Sequence, residues 1–182
     1  TVNIELATGD STKTMPAGTA FNTTVDGTSY QFVTVSDITK SNSGNAVIFD
    51  STEIYEGTYV TTKYTVDSSN VEQRFLLADN RADTTTLTVK VQNSASDSTT
   101  TTYTRATDIS QLNASSTVYY LQEVETGKFE VYFGDGVVSK ALTDDNIVVL
   151  SYVVTNKSLA NGANAFSNSG AIDGVTGVTT ST

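Results

Sequence analysis

Acidic side chains dominate the residues that could do chemistry. Glu123, Glu125 and Glu130 lie close together in a stretch that reads as a hairpin, and glycoside hydrolysis needs two carboxylates about 5–10 Å apart. Nothing around them marks an apolar pocket that would raise a pKa, and tryptophan, a frequent sugar platform, is absent. Asp135, Asp144, Asp145 and Asn146 offer oxygen ligands of the type calcium takes, but the regular acidic loop closed by a distant Glu does not occur. Acids in water-facing loops are the plainer reading. With no histidine in the chain, serine has no standard base, which leaves Ser–Lys pairs such as Ser139-Lys140 as a weak basis for catalysis. Gly134-Asp135-Gly136 is the sharpest local signal. A glycine-rich loop cradles phosphate when a helix N-terminus stands behind it. Here strand-like runs flank it, so it reads as a turn requiring positive φ.

Composition narrows the classes further. The chain has 182 residues, enough for one domain with a sizeable core. Without cysteine there are no disulfides and no thiolate metal sites, and without histidine no imidazole-ligated zinc. We expect no cofactor. Charged residues make up 16% and sum to −10, so the basic footprint of a nucleic-acid binder is missing. No apolar run approaches the roughly 18 residues of a membrane-spanning helix. Thr and Ser supply 53 of the 182 residues. That bias would suit a disordered stalk, but the chain has a single proline, nine Tyr and seven Phe, and its apolar residues recur in ordered short runs. Threonine and valine favour extended backbone. The chain starts at Thr1 inside a strand-like run and ends in a polar tail, and so reads as one β-rich domain, 1–182, of a longer protein, with a cut near residue 105 into 1–105 and 106–182 as the alternative.

The elements that must position these residues are mostly strands. Val2–Leu6 opens the chain, Pro16-Ala17-Gly18 turns it, and Asp26-Gly27 is a two-residue hairpin signal between Phe21–Val25 and Ser29–Val35. Residues 41–45 read as a loop. Gly57 interrupts a long β run and suggests a bulge or bend. Leu87, Val89 and Val91 alternate with polar residues as in a half-buried strand, and 93–105 reads as a flexible loop followed by an exposed strand. Thr107–Leu112 is the one plausible helix, about two turns, with Asp108 or Thr107 as its cap. Val118–Val124 and Lys128–Phe133 form a hairpin with Phe129, Val131 and Phe133 on one face and Lys128, Glu130 and Tyr132 on the other. Ile147–Val154 is apolar on both faces, as in a central strand or an interface. From Asn161-Gly162 onward the chain returns to loop character.

The order of these motifs resembles a known family. Val118-Tyr-Tyr-Leu-Gln-Glu-Val-Glu-Thr-Gly-Lys-Phe-Glu-Val-Tyr-Phe-Gly-Asp-Gly136 continues to Asn146-Ile-Val-Val-Leu-Ser-Tyr152, Thr155-Asn156 and Asn161-Gly-Ala163. Upstream stand Met15-Pro-Ala-Gly-Thr-Ala-Phe21, Tyr30-Gln-Phe32, Tyr55-Glu-Gly57 and Arg74-Phe-Leu-Leu77. Over residues 15–166 the chain is similar to the baseplate J family of contractile-tail proteins, and within it to the baseplate wedge proteins of T-even-like bacteriophages. It departs where the family usually has glycine, at Ser139 and at Asp145.

The resemblance implies a structural component of a contractile phage tail baseplate. Such a component associates with itself, a dimer being expected, and with other wedge proteins, and helps transmit the trigger for sheath contraction. It is assembled in the host cytoplasm and located in the virion. It implies no catalytic residues, and carries Phe133, Gly134, Asp135, Gly136 and Asn146 as a structural motif. The expected fold is mainly β, antiparallel sheets in a sandwich with one or two short helices. Neither nucleic acid nor membrane is expected as a partner. Two competitors remain: a glycan-binding β-sandwich adhesin, and a tail glycosidase using the Glu123, Glu125 and Glu130 carboxylates.

Overall fold

The computed structural model describes residues 1–70 and 72–182. The chain is mainly β. In chain order the strands are β1 (Val2–Ala7), β2 (Thr12–Met15), β3 (Ala20–Val25), β4 (Thr28–Val33), β5 (Ile38–Ser43), β6 (Ala46–Thr52), β7 (Tyr55–Glu56), β8 (Thr58–Thr65), β9 (Phe75–Leu76), β10 (Ala82–Gln92), β11 (Thr100–Arg105), β12 (Val118–Glu123), β13 (Phe129–Tyr132), β14 (Ile147–Val154) and β15 (Val178–Ser181). Two compact units form: residues Thr1–Val60 with Val153–Thr182, and residues Thr61–Tyr152.

The first unit is a sandwich. A five-stranded sheet, β15-β1-β6-β5-β2, and a three-stranded sheet, β3-β4-β7, contribute to one core. Strict alternation on β1 buries Val2, Ile4 and Leu6 and leaves Asn3, Glu5 and Ala7 outside. Met15, Phe21, Val47, Phe49 and Ile172 complete the core, each almost fully excluded from solvent. Each such side chain contributes roughly 1.5–3 kcal/mol on burial. The Asp26-Gly27 signal holds: both residues have positive φ (50° and 81°), as a two-residue hairpin turn between β3 and β4 demands.

The second unit is built on a seven-stranded sheet, β8-β14-β10-β11-β12-β13-β9. Strand β14 lies between β8 and β10, and both of its faces are buried towards its end, Leu150 and Tyr152 on one and Ser151 and Val153 on the other. The pairs β10–β11, β12–β13 and β13–β9 are antiparallel, while β11 and β12 run parallel, with Thr104 facing Val118 and Arg105 facing Tyr119. Parallel neighbours need a crossover, and residues 106–117 supply it. A row of edge-on rings runs through this unit: Tyr64–Phe75, Phe75–Phe133 and Phe133–Tyr103, with centroids 5.7, 5.5 and 5.4 Å apart.

Four local expectations change. Residues 41–43 are strand, not loop; the turn is only Gly44-Asn45, both at positive φ, and the Asn42 amide holds the strand by donating to the Thr8 and Asp10 carbonyls. The expected helix at 107–112 is a single 3-10 turn, Ile109–Gln111, capped by Asp108. Ile109 is 66% exposed, so no apolar face is buried to stabilise a longer helix. Among the described residues there is no α-helix, only three such turns. The polar C-terminal stretch is not all loop: Val178–Ser181 pairs with β1, and Ile172 enters the core. The strand after the 93–99 loop is exposed at Thr100, Thr102, Thr104 and Arg105 as expected, but it buries Tyr103.

Ile172→Ala tests whether this last segment is integral. Urea denaturation should show a loss of about 2–5 kcal/mol, whereas Ile48→Ala, at a half-exposed position, should cost far less. Equal, small effects would mean the segment merely rests on the surface.

Candidate functional site

The motif residues gather at places where two backbones come close. At the Phe133–Asn146 loop, Gly134 forms a bridge with Ala141, and a Cβ on Gly134 would sit 2.1 Å from Ser139 Oγ and 2.3 Å from its carbonyl oxygen. No side chain fits there. Ser139 is fully buried, and its hydroxyl meets Tyr120 Oη at 3.3 Å. Gly136, at φ +86°, donates its N–H to the Ser139 carbonyl (2.9 Å). Asp135 Oδ1 accepts from the Val137 and Val138 N–H groups at 2.9 and 3.3 Å, which lowers its pKa. Asn146 Oδ1 accepts from the N–H and hydroxyl of Thr143, and Nδ2 donates to the Asn93 carbonyl at 2.9 Å. Phe133, at the loop's entry, is thereby fixed in the aromatic row. The departure at Asp145 has a geometric reading: its φ is +64°, a conformation glycine adopts freely and aspartate tolerates.

A second knot joins β13 to the segment before β9. Glu130 is buried and accepts two hydrogen bonds from Arg74 Nε (3.0 and 2.9 Å), one from Arg74 Nη2, and one from Tyr132 Oη (2.9 Å). The Arg74 hydrogen bonds outweigh burial and hold the Glu130 carboxyl below its ordinary value. Alternation puts Glu130 on the face opposite Phe129, Val131 and Phe133, and it is buried there, with the half-exposed Arg74 side chain reaching its carboxylate from the solvent side.

Two more knots lie in the first unit. Glu56 accepts from Thr155 Oγ1 (2.7 Å), from Asn156 N–H and from Asn156 Nδ2 (both 2.8 Å). The next residue, Gly57 at φ +128°, lies so close to Val154 that a Cβ would meet its carbonyl oxygen at 2.2 Å. Thus Tyr55-Glu-Gly57 and Thr155-Asn156, far apart in sequence, form one clasp. At Pro16–Phe21 the Pro16 carbonyl collects the Thr19 and Thr34 hydroxyls at 2.7 and 2.8 Å, and Phe21 descends into the core.

The residues considered for catalysis are divided by the fold: Glu123 and Glu125 line one open cleft with Lys128, while Glu130 and Ser139 are buried. Across the β12–β13 hairpin, Glu123 stands opposite Phe129 and Gln122 opposite Glu130, so Glu123 and Glu130 project to opposite faces. Glu130's oxygens are engaged by Arg74 and Tyr132, and a carboxyl held ionised this way is a poor general acid. Ser139 is sealed from solvent. Asp144 Oδ1 accepts from Ser68 N–H at 2.8 Å. Among the described residues no group of acids is placed to hold a metal ion. Sequence reading did not single out Glu56 or Arg74 individually; a lone acid or base beside a strand carries no local signal of its partner.

Two predictions follow from these contacts. Gly134→Ala should lose about 1–3 kcal/mol or more in a denaturant titration through overpacking, while Gly9→Ala, with open space around it, should stay within about 0.5 kcal/mol of the parent. The second concerns Arg74→Met. It leaves Glu130 buried without its cation, so its folded pKa rises above the unfolded one. The variant's deficit should therefore be largest at neutral pH and shrink as acidification protonates Glu130. In the parent the sign is opposite: Glu130, with Asp79 and Asp97 held at about 2, contributes stability above pH ~4 that is lost on descent towards pH ~2. A deficit in Arg74→Met that stays constant with pH would exclude this account.

No curated protein matches the chain. The family model described as the third domain of bacteriophage baseplate wedge protein gp6 matches residues 58–163. That range takes in Arg74, Glu130, the Phe133–Asn146 loop and Thr155-Asn156, and leaves out the Pro16–Phe21 turn and Glu56. Covering more than half of the sequence, the match shows that the chain belongs to the family of the bacteriophage baseplate wedge protein gp6, third domain.

Proposed function

We propose that the chain is a structural component of a contractile-tail baseplate wedge. In this reading it associates with itself, bridges neighbouring baseplate proteins and helps transmit the trigger for sheath contraction. The family match over residues 58–163 carries the proposal. The arrangement of the motif residues supports it, because they serve as fasteners between strands and loops, which suits a part that transmits force rather than turns over substrate. Phe133, Gly134, Asp135, Gly136 and Asn146 then act as a structural motif and not as a binding site. The matched model is described as a third domain, which supports reading the chain as a β-rich piece of a longer wedge protein. Its location is the tail baseplate of the virion, after assembly in the host cytoplasm; its partners are other wedge proteins and a second copy, and not nucleic acid.

Sedimentation equilibrium of the purified chain tests self-association. A mass of twice 19.3 kDa, holding down to low micromolar protein, is the expected result, and a monomer throughout would remove the dimer from the proposal. Gold-labelled antibody against the chain should decorate the baseplate end of purified tails in electron micrographs. Labelling elsewhere, together with saturable binding on a glycan array, would favour the adhesin instead.

A further inference from the structure

The Asn161-Gly162 turn belongs to the motifs of the baseplate resemblance, but that reading gives its chemistry no task. It is the only Asn-Gly pair in the sequence, and three Asn-Ser pairs accompany it: Asn42-Ser43, Asn93-Ser94 and Asn168-Ser169. These dipeptides share one chemistry, attack of the following backbone nitrogen on the asparagine side-chain carbonyl. The fold treats the four differently. The Asn42 amide donates to the Thr8 and Asp10 carbonyls at 2.7 and 3.0 Å and accepts from Asn45 N–H. Asn93 Nδ2 donates to Asp97 Oδ2 at 2.8 Å. Asn168 Nδ2 donates to the Ala20 carbonyl at 2.8 Å, and its Oδ1 accepts from Gly170 N–H. Each of these side chains is tied away from its own backbone.

Asn161 is not tied. Both it and Gly162 are exposed. The backbone bonds of this turn run from Asn161 N–H to the Ser158 carbonyl (3.2 Å) and from Ala163 N–H to the Ala160 carbonyl (3.3 Å). They pass over the Gly162 N–H, which has no bond of its own among the described residues, nor has the Asn161 amide. Asn161 is extended, at φ −61° and ψ 137°, so attack requires the peptide plane after it to swing round. Gly162 has no side chain, sits at φ +97°, and has nothing within 4 Å of where a Cβ would be. Nothing opposes that swing.

We infer that Asn161 is a site of spontaneous covalent modification, deamidating through a succinimide while the other three asparagines are protected by the fold. The Gly162 nitrogen gives up its proton to base and bonds to Asn161 Cγ, and the side-chain nitrogen leaves as ammonia. Water then opens the ring at either carbonyl, giving an aspartyl or an isoaspartyl residue at position 161. The product carries one more negative charge. In the isoaspartyl form it also adds a methylene to the backbone between the 3-10 turn Lys157–Ala160 and the segment that supplies Phe166, Ile172 and β15 to the first unit. This inference stands on the chain's own geometry and does not depend on the baseplate reading.

The test is ageing of the folded chain in mildly alkaline buffer, followed by peptide mapping with mass spectrometry and isoaspartyl detection by enzymatic methylation. Conversion at Asn161 should run at least about tenfold faster than at Asn42, Asn93 or Asn168, the ratio that a barrier difference of ~1.4 kcal/mol produces. Asn161→Gln should abolish the fast event. In urea the gap should narrow, because Asn42 and Asn168 lose their carbonyl partners and speed up. An unmodified Asn161, or any of the other three reacting as fast in the folded chain, overturns the inference. So does a rate at Asn161 that rises severalfold on unfolding, since the turn would then be protecting it.

Discussion

The loops of this protein depend on one repeated interaction: a short Asp or Asn side chain accepting the N–H of the residue two places on. Asp67 does so for Ser69, Asn70 for Glu72, Asp79 for Arg81 and Asp97 for Thr99. Asp108 does so for Ser110, Asn113 for Ser115, Asp135 for Val137 and Asn168 for Gly170. A chain of many short strands has many connections, and each exposes backbone donors with no ladder to join. Proline, which would stiffen such connections, occurs once. Side-chain acceptors take its place. With the loops fixed this way, strand ends arrive in register, and the close approaches at Gly57 and Gly134 become sterically possible.

Those approaches give the most recognisable residues a geometric reason for their identity. Gly134 is glycine because Ser139 occupies the space, and Gly57 because Val154 does. Glu130 is a buried carboxylate paired with the half-exposed Arg74, and its alternative is an uncompensated buried charge. Glu56 holds two backbone segments that are about a hundred positions apart. Motif identity here records geometry between segments. Such positions are more constrained than an ordinary core site, where a volume-conserving change is tolerated.

Some of this was legible in the sequence. The period-two pattern of β1, the Asp26-Gly27 hairpin and the bend at Gly57 each follow from local chemistry, and the doubly apolar β14 sits inside a sheet as its composition demands. What was not legible depends on distant partners. The pairing of Glu130 with Arg74 was hidden because the alternation of β13 contains no sign of Arg74. The strand at Val178–Ser181 looked like loop because its apolar neighbours, on β1, begin the chain. Thr107–Leu112 looked helical because Ile109 and Leu112 have the right spacing, yet no surface lies beneath Ile109 to receive it. The 133–136 segment was visible as a turn. The placement of Phe133 between Phe75 and Tyr103 was not, because those two rings come from other strands.

The same fasteners bear on the chain's acidity. Of 20 Asp and Glu residues, at least ten accept a backbone N–H: Asp37, Glu56, Asp67, Asp79, Asp83, Asp97, Asp108, Asp135, Asp144 and Asp173. Half of the negative charge is therefore engaged in holding connections, spread through both units. A carboxylate is the stronger acceptor for this task, since a charged hydrogen bond exceeds a neutral one, and self-repulsion is the accompanying cost. A net charge of −10 in such a chain is thus in large part a consequence of how its loops are built. It does not by itself specify a basic partner.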